Sequence, residues 1–251
     1  MKYPRDHYSY SSFSKFEQCP RCWWYYYVKY AGAKQEESFA LILGDAYHQA
    51  LEAMYRGKPK EECLEIFDKL TRGKAFTSLV AKDTATMRQA VEYYYSAIYP
   101  LYRNRVDVIE MDAKIKFPEV EIPFQFRIDL ATKDGVIIDH KTAGRTEPEV
   151  EKNTQLSLYS YAYMLDTGRL PRQFELHIAS KSPKGARVEI KTYSPKLPEV
   201  LKVVSRFRSF VKRVEMDDFP AICGKYCDYY SWKDECDKLI VETGGDPTVV
   251  K

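Results

Sequence analysis

The 251-residue chain is predicted to be an α/β protein with a central mixed β-sheet flanked by helices and a helical N-terminal part. Three observations predict this class. Apolar residues recur at helical spacing over the first hundred residues, residues 106–141 alternate as strands do, and a helix, a hairpin and a further helix follow. This order fits a sheet covered by helices. No repeat or linker divides the sequence, so we expect one domain over residues 1–251.

The predicted helices share apolar residues that recur every three or four positions. They cover residues 11–30, 44–55, 60–70, 84–101, 149–166 and 197–214. Ser11 or Ser12 is a suitable start for the first helix, which is rich in aromatic residues. The 84–101 helix is predicted from a stripe that runs from Met87 to Leu101.

The predicted strands show the period-two alternation of half-buried strands or a short apolar run. They cover residues 106–117, 124–130 and 136–141, with a hairpin formed by residues 174–178 and 188–190. The segment Lys133-Asp134-Gly135 is a turn signal between the two central strands. Asp139 and Lys141 are two apart, so they project from the same side of their strand, whereas His140 points away.

Composition limits the function classes only loosely. The net charge of +3, from 39 basic and 36 acidic residues, permits nucleic-acid binding without predicting it. The 21 tyrosines are amphipathic packing residues or a surface on which unpaired bases stack. We find no signal peptide and no apolar segment of membrane-spanning length, so we expect an intracellular protein without a membrane partner. Its six cysteines are then not expected to form structural disulfides.

The two central strands are expected to bring Asp129, Asp139 and Lys141 together. Charged groups at the end of a buried strand are costly unless they are paired or bound to a metal. Two carboxylates and a lysine are typical of metal-dependent phosphodiester cleavage. The alternative is a buried Asp–Lys ion pair without catalytic function, because structural ion pairs imitate sites. His48, on the edge of a helical apolar stripe, carries no signal alone, and neither do Gln155 and Tyr159, which lie four apart on one helix face.

Taken together, these residues resemble a known family. The motifs occur in one order along the sequence: Ser12 with Cys19-Pro20-x-Cys22-Trp23, Gly44-x3-His48, Arg127-Ile128-Asp129, Asp139-x-Lys141 and Gln155-x3-Tyr159. This order resembles the RecB-like group of PD-(D/E)XK nucleases, which includes CRISPR-associated nucleases, the AddB nuclease domain and phage exonucleases. The resemblance covers residues 11–236 and implies a restriction-endonuclease-like core.

The resemblance implies a DNA nuclease, with Asp129 and Asp139 holding Mg²⁺ or Mn²⁺. His48 and the backbone carbonyl of His140 would be further ligands, and Lys141 would orient the attacking water or stabilise the transition state. The residues implied to position Lys141 or the DNA are Gln155, Tyr159 and Arg127. We expect an exonuclease acting on single strands or free DNA ends in recombination, repair or replication. The alternative is a catalytically silent DNA- or partner-binding module that keeps the fold.

Two positions near the expected site need comment. The family has glycine where this sequence has Phe126, whose side chain is expected to face away from Asp129 and to alter how a nucleic-acid backbone approaches. The family also carries an acidic residue on the preceding strand. Glu110 and Asp112 are both candidates and are expected to share a strand face.

The cysteines form a second candidate site. Four thiolates can ligate an iron–sulfur cluster or Zn²⁺. The resemblance implies that a [4Fe–4S] cluster joins the two ends of the protein through Cys19, Cys223, Cys227 and Cys236. The sequence departs from the family spacing, because Tyr230 stands at the middle position and Cys223 would replace that thiolate. Zn²⁺ and free thiols are the alternatives, and Cys63 is expected to be a small core residue.

Overall fold

A six-stranded mixed sheet with helices on both faces forms the structure, a computed structural model that describes residues 3–31, 38–73, 77–143, 154–180 and 186–222. The helices are α1 Tyr10–Gln18, α2 Pro20–Trp24, α3 Phe39–Tyr55, α4 Lys60–Thr71, α5 Ser78–Tyr93, α6 Tyr99–Tyr102, α7 Thr154–Thr167 and α8 Leu197–Glu215. The strands are β1 Tyr8–Ser9, β2 Val106–Ile115, β3 Phe124–Thr132, β4 Val136–Ala143, β5 Gln173–Ser180 and β6 Arg187–Tyr193. The predicted fold class is confirmed.

The sheet contains both parallel and antiparallel pairs. Strand β3 pairs antiparallel with β2 and with β4, and β5 pairs antiparallel with β6 as the predicted hairpin. Strands β4 and β5 are parallel, with His140 opposite His177. A parallel pair needs a long crossover, and α7 lies within it. The short strand β1 was not predicted; it adds to β3 in parallel, with Tyr8 opposite Phe124.

The N-terminal region is not the single helix expected over residues 11–30. Ser9 caps α1 by accepting the backbone N–H of Ser12, so the expected start at Ser11 or Ser12 is wrong. The helix ends at Gln18, with Cys19 as its C-cap, because Pro20 has no N–H to continue it and instead occupies the first turn of α2. A turn of π-helix, Tyr25–Lys29, follows α2.

The long helix expected over residues 84–101 is also divided. Its first part, α5, begins earlier because the Thr77 side chain accepts the backbone N–H of Val80. A π-helical turn, Tyr94–Ile98, then leads into α6. Such turns are frequent at functional sites. Within the described residues, we find no helix with the length and apolarity needed to cross a membrane.

Two apolar cores lie on opposite faces of the sheet. One is dominated by aromatic rings from α1, α2, β3, α7 and α8, with Trp23 fully buried at its centre and its Nε1–H donated to Ser12 Oγ at 2.9 Å. The other is formed by α3, α4 and α5, with Tyr47, Met54 and Tyr94 fully buried. Trp23 is therefore a packing residue of this core.

Candidate active site

A gap in the pairing of β3 creates the candidate site. Strand β2 occupies one edge of β3 from end to end. On the other edge, β1 pairs with residues 124–125 and β4 pairs only with Leu130 and Ala131. Within the described residues, no strand pairs with this edge over residues 126–129, which we call the strand gap. Asp129 and Asp139 would form the next cross-strand pair, but their strands diverge there.

The carboxylate of Asp129 takes the place of a missing backbone partner. Its Oδ2 accepts the backbone N–H of His140 at 2.6 Å and lies 3.4 Å from Nδ1 of His48. Burial would raise the pKa of Asp129, but the hydrogen bond with His48 and the neighbouring imidazoles hold it well below its usual range. Asp129 is therefore an ionised carboxylate in a largely buried position.

His48 reaches Asp129 because α3 packs closely against β4. The contact is made at Gly44, where a Cβ atom would lie 3.4 Å from Oγ1 of Thr142. His48 lies one turn later on the same helix face. Burial lowers its pKa, but the interaction with Asp129 outweighs burial and raises the pKa above 6.5. The sequence motif Gly44-x3-His48 thus has a geometric basis.

The side chain of His140 also approaches Asp129, although the sequence suggested only its backbone carbonyl as a ligand. Its ring is buried, and its Nδ1 lies 3.6 Å from Oδ2 of Asp129. Burial lowers the pKa of His140 well below 6.5, so the imidazole is neutral. One ligand atom each from His48, Asp129 and His140 lie within 4.8 Å of one another. We call these three residues the ligand triad. Their one carboxylate and two imidazoles fit a divalent ion such as Mn²⁺.

Asp139 and Lys141 form an ion pair beside the ligand triad, with Nζ and Oδ2 2.7 Å apart. Burial raises the pKa of Asp139, and Lys141 opposes that rise. Burial would lower the pKa of Lys141, but Asp139 outweighs it and the pKa is raised above 10.5. Lys141 is therefore a cation, and its side chain keeps a third of its surface exposed.

The structure distinguishes the two upstream acidic residues. Glu110 has a φ of 52°, in the left-handed region, and lies between the pairs Ile109–Leu130 and Met111–Ile128, at the level of Asp129. Burial and the nearby charge of Asp129 raise the pKa of Glu110. The Glu110 carboxylate pairs with the guanidinium of Arg127 at 2.7 Å. Asp112 is exposed and binds Gln125 instead. Arg127 and Gln125 lie two apart on β3, so these contacts are consistent with the expectation that both acids share a strand face.

Tyr159 and Gln155 approach the strand gap from α7. Tyr159 hydrogen-bonds to the Gln155 side chain and the backbone of Arg127, and burial raises its pKa. Phe126 faces away from Asp129 as predicted, but it is buried and its ring packs against Tyr159, with centroids 5.9 Å apart. Phe126 therefore supports Tyr159 from within the core, and the expectation that it alters the approach of a nucleic-acid backbone has no support in its position.

Of the four candidate cluster ligands, only Cys19 lies within the described residues. Cys223, Cys227 and Cys236 lie outside them. The Cys19 sulfur accepts backbone N–H groups of Cys22 and Ile222, and these contacts, led by the Cys22 side chain, lower its pKa to about 5. Cys63 is buried as predicted, and burial raises its pKa to about 11.

A second polar cluster, which was not predicted from the sequence, lies beneath the ligand triad. Tyr94, His177 and Glu175 are buried and hydrogen-bonded in series to His140. We call these three residues the buried network. A signal was present, because Glu175 and His177 are two apart in a strand that is otherwise apolar, and so share one face. Charged and polar side chains in such a strand need buried partners.

The sequence model of the PD-(D/E)XK nuclease superfamily matches residues 7–237, so the chain belongs to that superfamily. No curated protein matches the sequence.

Solved structures give an independent comparison of the fold. A candidate exonuclease from Eubacterium rectale aligns with a TM-score of 0.58 and 13% identity, over 89% of this chain and 86% of that one. An alkaline exonuclease from Laribacter hongkongensis aligns with a TM-score of 0.35 and 13% identity, over 76% of this chain and 93% of that one. The first likeness supports the shared fold, and the second is too weak to support an argument.

Proposed function

We propose that the protein is a divalent-metal-dependent deoxyribonuclease that hydrolyses phosphodiester bonds. The observation that carries the proposal is the strand gap, which holds Asp129 between two imidazoles and places the Asp139–Lys141 ion pair beside it. Burying the ionisable groups of Asp129, Asp139 and Lys141 together costs free energy, so such a cluster points to a functional site. A structural ion pair accounts for Asp139 and Lys141 but not for the ligand triad.

The residues of this chain have separable tasks in the proposed reaction. His48, Asp129 and His140 would hold a divalent ion, and Asp139 beside them would be its second carboxylate ligand. When bound, such an ion supplies a water of lowered pKa and offsets charge on the phosphate. The ion pair with Asp139 raises the pKa of Lys141, so we propose that Lys141 acts as a cation that orients the attacking water or stabilises developing negative charge. Asp139 holds the Lys141 ammonium in place at 2.7 Å.

We propose that the substrate is DNA with single-stranded regions or free ends, and that the protein is an exonuclease of recombination, repair or replication. Support comes from superfamily membership and from the candidate exonuclease that shares the fold. The rim of the site offers a phosphate contact. Arg127 is 60% exposed and is held by Glu110, so its guanidinium lies at the strand gap with donors toward solvent.

A cleavage assay on labelled DNA tests this proposal. Linear single-stranded, linear double-stranded and circular DNA are incubated with Mg²⁺ or Mn²⁺, using the parent protein, Asp139→Ala and the matched control Asp112→Ala. We expect the parent and Asp112→Ala to degrade linear DNA and Asp139→Ala to lose cleavage. A parent that cuts nothing, as a silent binding module would, or an Asp139→Ala variant as active as the parent, contradicts the mechanism. Cleavage of circular DNA would contradict exonuclease action.

We further propose that Cys19, Cys223, Cys227 and Cys236 ligate a [4Fe–4S] cluster in an intracellular protein. Two observations support the proposed cluster. The Cys19 thiol has a pKa of about 5, which favours the thiolate that ligates iron. The segment that leads to Cys223 packs on the start of α2, where Arg21 Nε donates to the Phe219 carbonyl at 2.8 Å and the Ile222 N–H donates to Cys19 Sγ at 3.4 Å.

Iron and zinc analysis of an anaerobic preparation tests the cluster. We expect a coloured protein with about four iron atoms per chain, and loss of iron in Cys19→Ser. Cys63→Ala, which changes a cysteine in the other core, should keep its iron. Stoichiometric zinc without iron would favour the zinc alternative, and the absence of both metals would contradict any metal at these cysteines.

A further inference from the structure

The buried network connects His140 to a charged group in the interior. The Tyr94 hydroxyl lies 3.0 Å from Nε2 of His140 and 2.8 Å from Nδ1 of His177. Nε2 of His177 lies 3.2 Å from the Glu175 carboxylate. The His177 ring has no exposed surface, and Tyr94 is fully buried. Every proton in this series must therefore be shared between protein groups, because the described structure encloses them.

The carboxylate of Glu175 sets the direction of these hydrogen bonds. An ionised carboxylate only accepts. Burial would raise the pKa of Glu175, but donors from His177 and Tyr102 lower it, so it is ionised. The Tyr102 hydroxyl donates to Oε2 at 2.6 Å, and the Gln173 amide donates to Oε1 at 3.2 Å. His177 Nε2 must then carry a proton and donate it to Glu175.

The rest of the order follows atom by atom. With its proton on Nε2, the His177 ring offers the lone pair of Nδ1, which accepts the Tyr94 O–H. The Tyr94 oxygen has then used its proton and accepts the Nε2–H of His140. Its second lone pair accepts the hydroxyl of Tyr55, 3.2 Å away. Each donor meets an acceptor in this order.

We infer that the buried network holds His140 with its proton on Nε2, so that the Nδ1 lone pair faces His48 and Asp129 as a nitrogen ligand for a divalent cation. This inference rests on the proposed metal dependence and deepens it. Tyr94, His177 and Glu175 are positioning residues that act through His140. Because two imidazoles then serve as ligands beside the carboxylates, the site should prefer an imidazole-accepting ion such as Mn²⁺ over Mg²⁺.

The opposite proton order would leave both His140 Nδ1 and His177 Nε2 without a suitable hydrogen-bond partner. It would place a proton on His140 Nδ1, but Asp129 Oδ2 is 3.6 Å from that atom, too far for a good hydrogen bond. With neutral histidines it would also leave the lone pair of His177 Nε2 facing the Glu175 carboxylate at 3.2 Å. The observed distances therefore favour the order that frees His140 Nδ1.

Tautomers of the metal-free protein can be measured directly by ¹⁵N-imidazole NMR, with the His140 signals assigned by their loss in His140→Gln. We expect neutral His140 with a protonated Nε2 and an unprotonated Nδ1. Tyr94→Phe should remove this preference. The matched control is Tyr47→Phe, because Tyr47 is equally buried in the same core and its hydroxyl has no hydrogen-bond partner among the described residues.

Calorimetric titration with Mn²⁺ and with Mg²⁺ supplies the second readout. Supporting hydrogen bonds of metal ligands are typically worth about 10–100-fold in affinity. We expect Tyr94→Phe to bind Mn²⁺ about tenfold more weakly or worse, with a smaller loss for Mg²⁺, and Tyr47→Phe to match the parent.

The outcomes separate this inference from the proposed function. A proton on Nδ1 of His140 in the parent overturns the inference, and so does a Tyr94→Phe variant that keeps the tautomer and the Mn²⁺ affinity of the parent. A parent that cleaves DNA with Mn²⁺ in either case retains the proposed function. A parent that binds neither ion overturns the metal site and the inference together.

Discussion

The ligand triad and the buried network are adjacent polar clusters that differ in how completely their polar groups are hydrogen-bonded and enclosed. In the network, Glu175 receives hydrogen bonds from three side chains, and His177 is completely enclosed. In the ligand triad, His48 keeps 28% of its side-chain surface exposed, and the two nitrogens lie near a carboxylate oxygen without closing ideal hydrogen bonds. A satisfied cluster orients its neighbours, whereas an incompletely satisfied one is available to a ligand from solvent.

Replacing Asp129 should have the largest effect on function. Asp129→Asn removes the charge of the ligand triad but keeps an oxygen that can accept the His140 N–H. We expect cleavage to fall by about 10²–10³-fold, the size of loss seen when one electrostatic contributor to a transition state is removed. Initial rates on linear DNA measure this, and circular dichroism checks the fold. Asp112→Asn makes the same change on an exposed residue and should match the parent; equal rates for all three proteins would show that the triad is not catalytic.

Stability should distinguish the two buried tyrosines of one core. Tyr94→Phe leaves His140 Nε2 and His177 Nδ1 without their shared partner, so we expect the free energy of unfolding to fall by about 1–3 kcal/mol. Tyr47→Phe removes a buried hydroxyl without a partner in the described structure, so the change should lie within about 0.5 kcal/mol or be stabilising. Denaturant unfolding of metal-free protein measures both. Equal losses would contradict the assigned hydrogen bonds.

The smallest expected effect is the pH dependence of Glu175. Its pKa is lower in the folded protein than the ordinary value of 4.5, so its contribution to stability is present above pH 4.5 and is lost as the pH falls through the folded pKa. Glu175→Gln should therefore cost about 1 kcal/mol at pH 7, and less in acid. Unfolding curves of both proteins across this range give the difference. A difference that is constant or that grows in acid would contradict an ionised Glu175.

Much of the fold could be predicted because its signals are local. The alternation in β3, the turn at Gly135 and the apolar run that opens β4 each depend on neighbouring residues, and the structure confirms them. The boundaries were less accurate where a side-chain cap decided them. Ser9 begins α1 and Thr77 begins α5, and neither belongs to the apolar stripe from which a helix is predicted.

The site was predictable only in part, for a related reason. Asp139 and Lys141 share a face by strand geometry, which the sequence shows. The choice of Glu110 over Asp112 depends on the register of β2 against β3, which places Glu110 at the level of Asp129. The link from His140 to His177 depends on the register of two strands that are far apart in sequence, and Tyr94 reaches them from a π-helical turn. Such contacts are set by tertiary packing.

Anomalous diffraction from crystals grown with Mn²⁺ tests the central claim most directly, because it locates the ion without reference to activity. The account predicts a peak coordinated by His48, by Asp129 and by Nδ1 of His140, and loss of that peak in Asp129→Asn. A Mn²⁺ peak elsewhere in the protein, with His140 Nδ1 uncoordinated and the ligand triad empty, would contradict it.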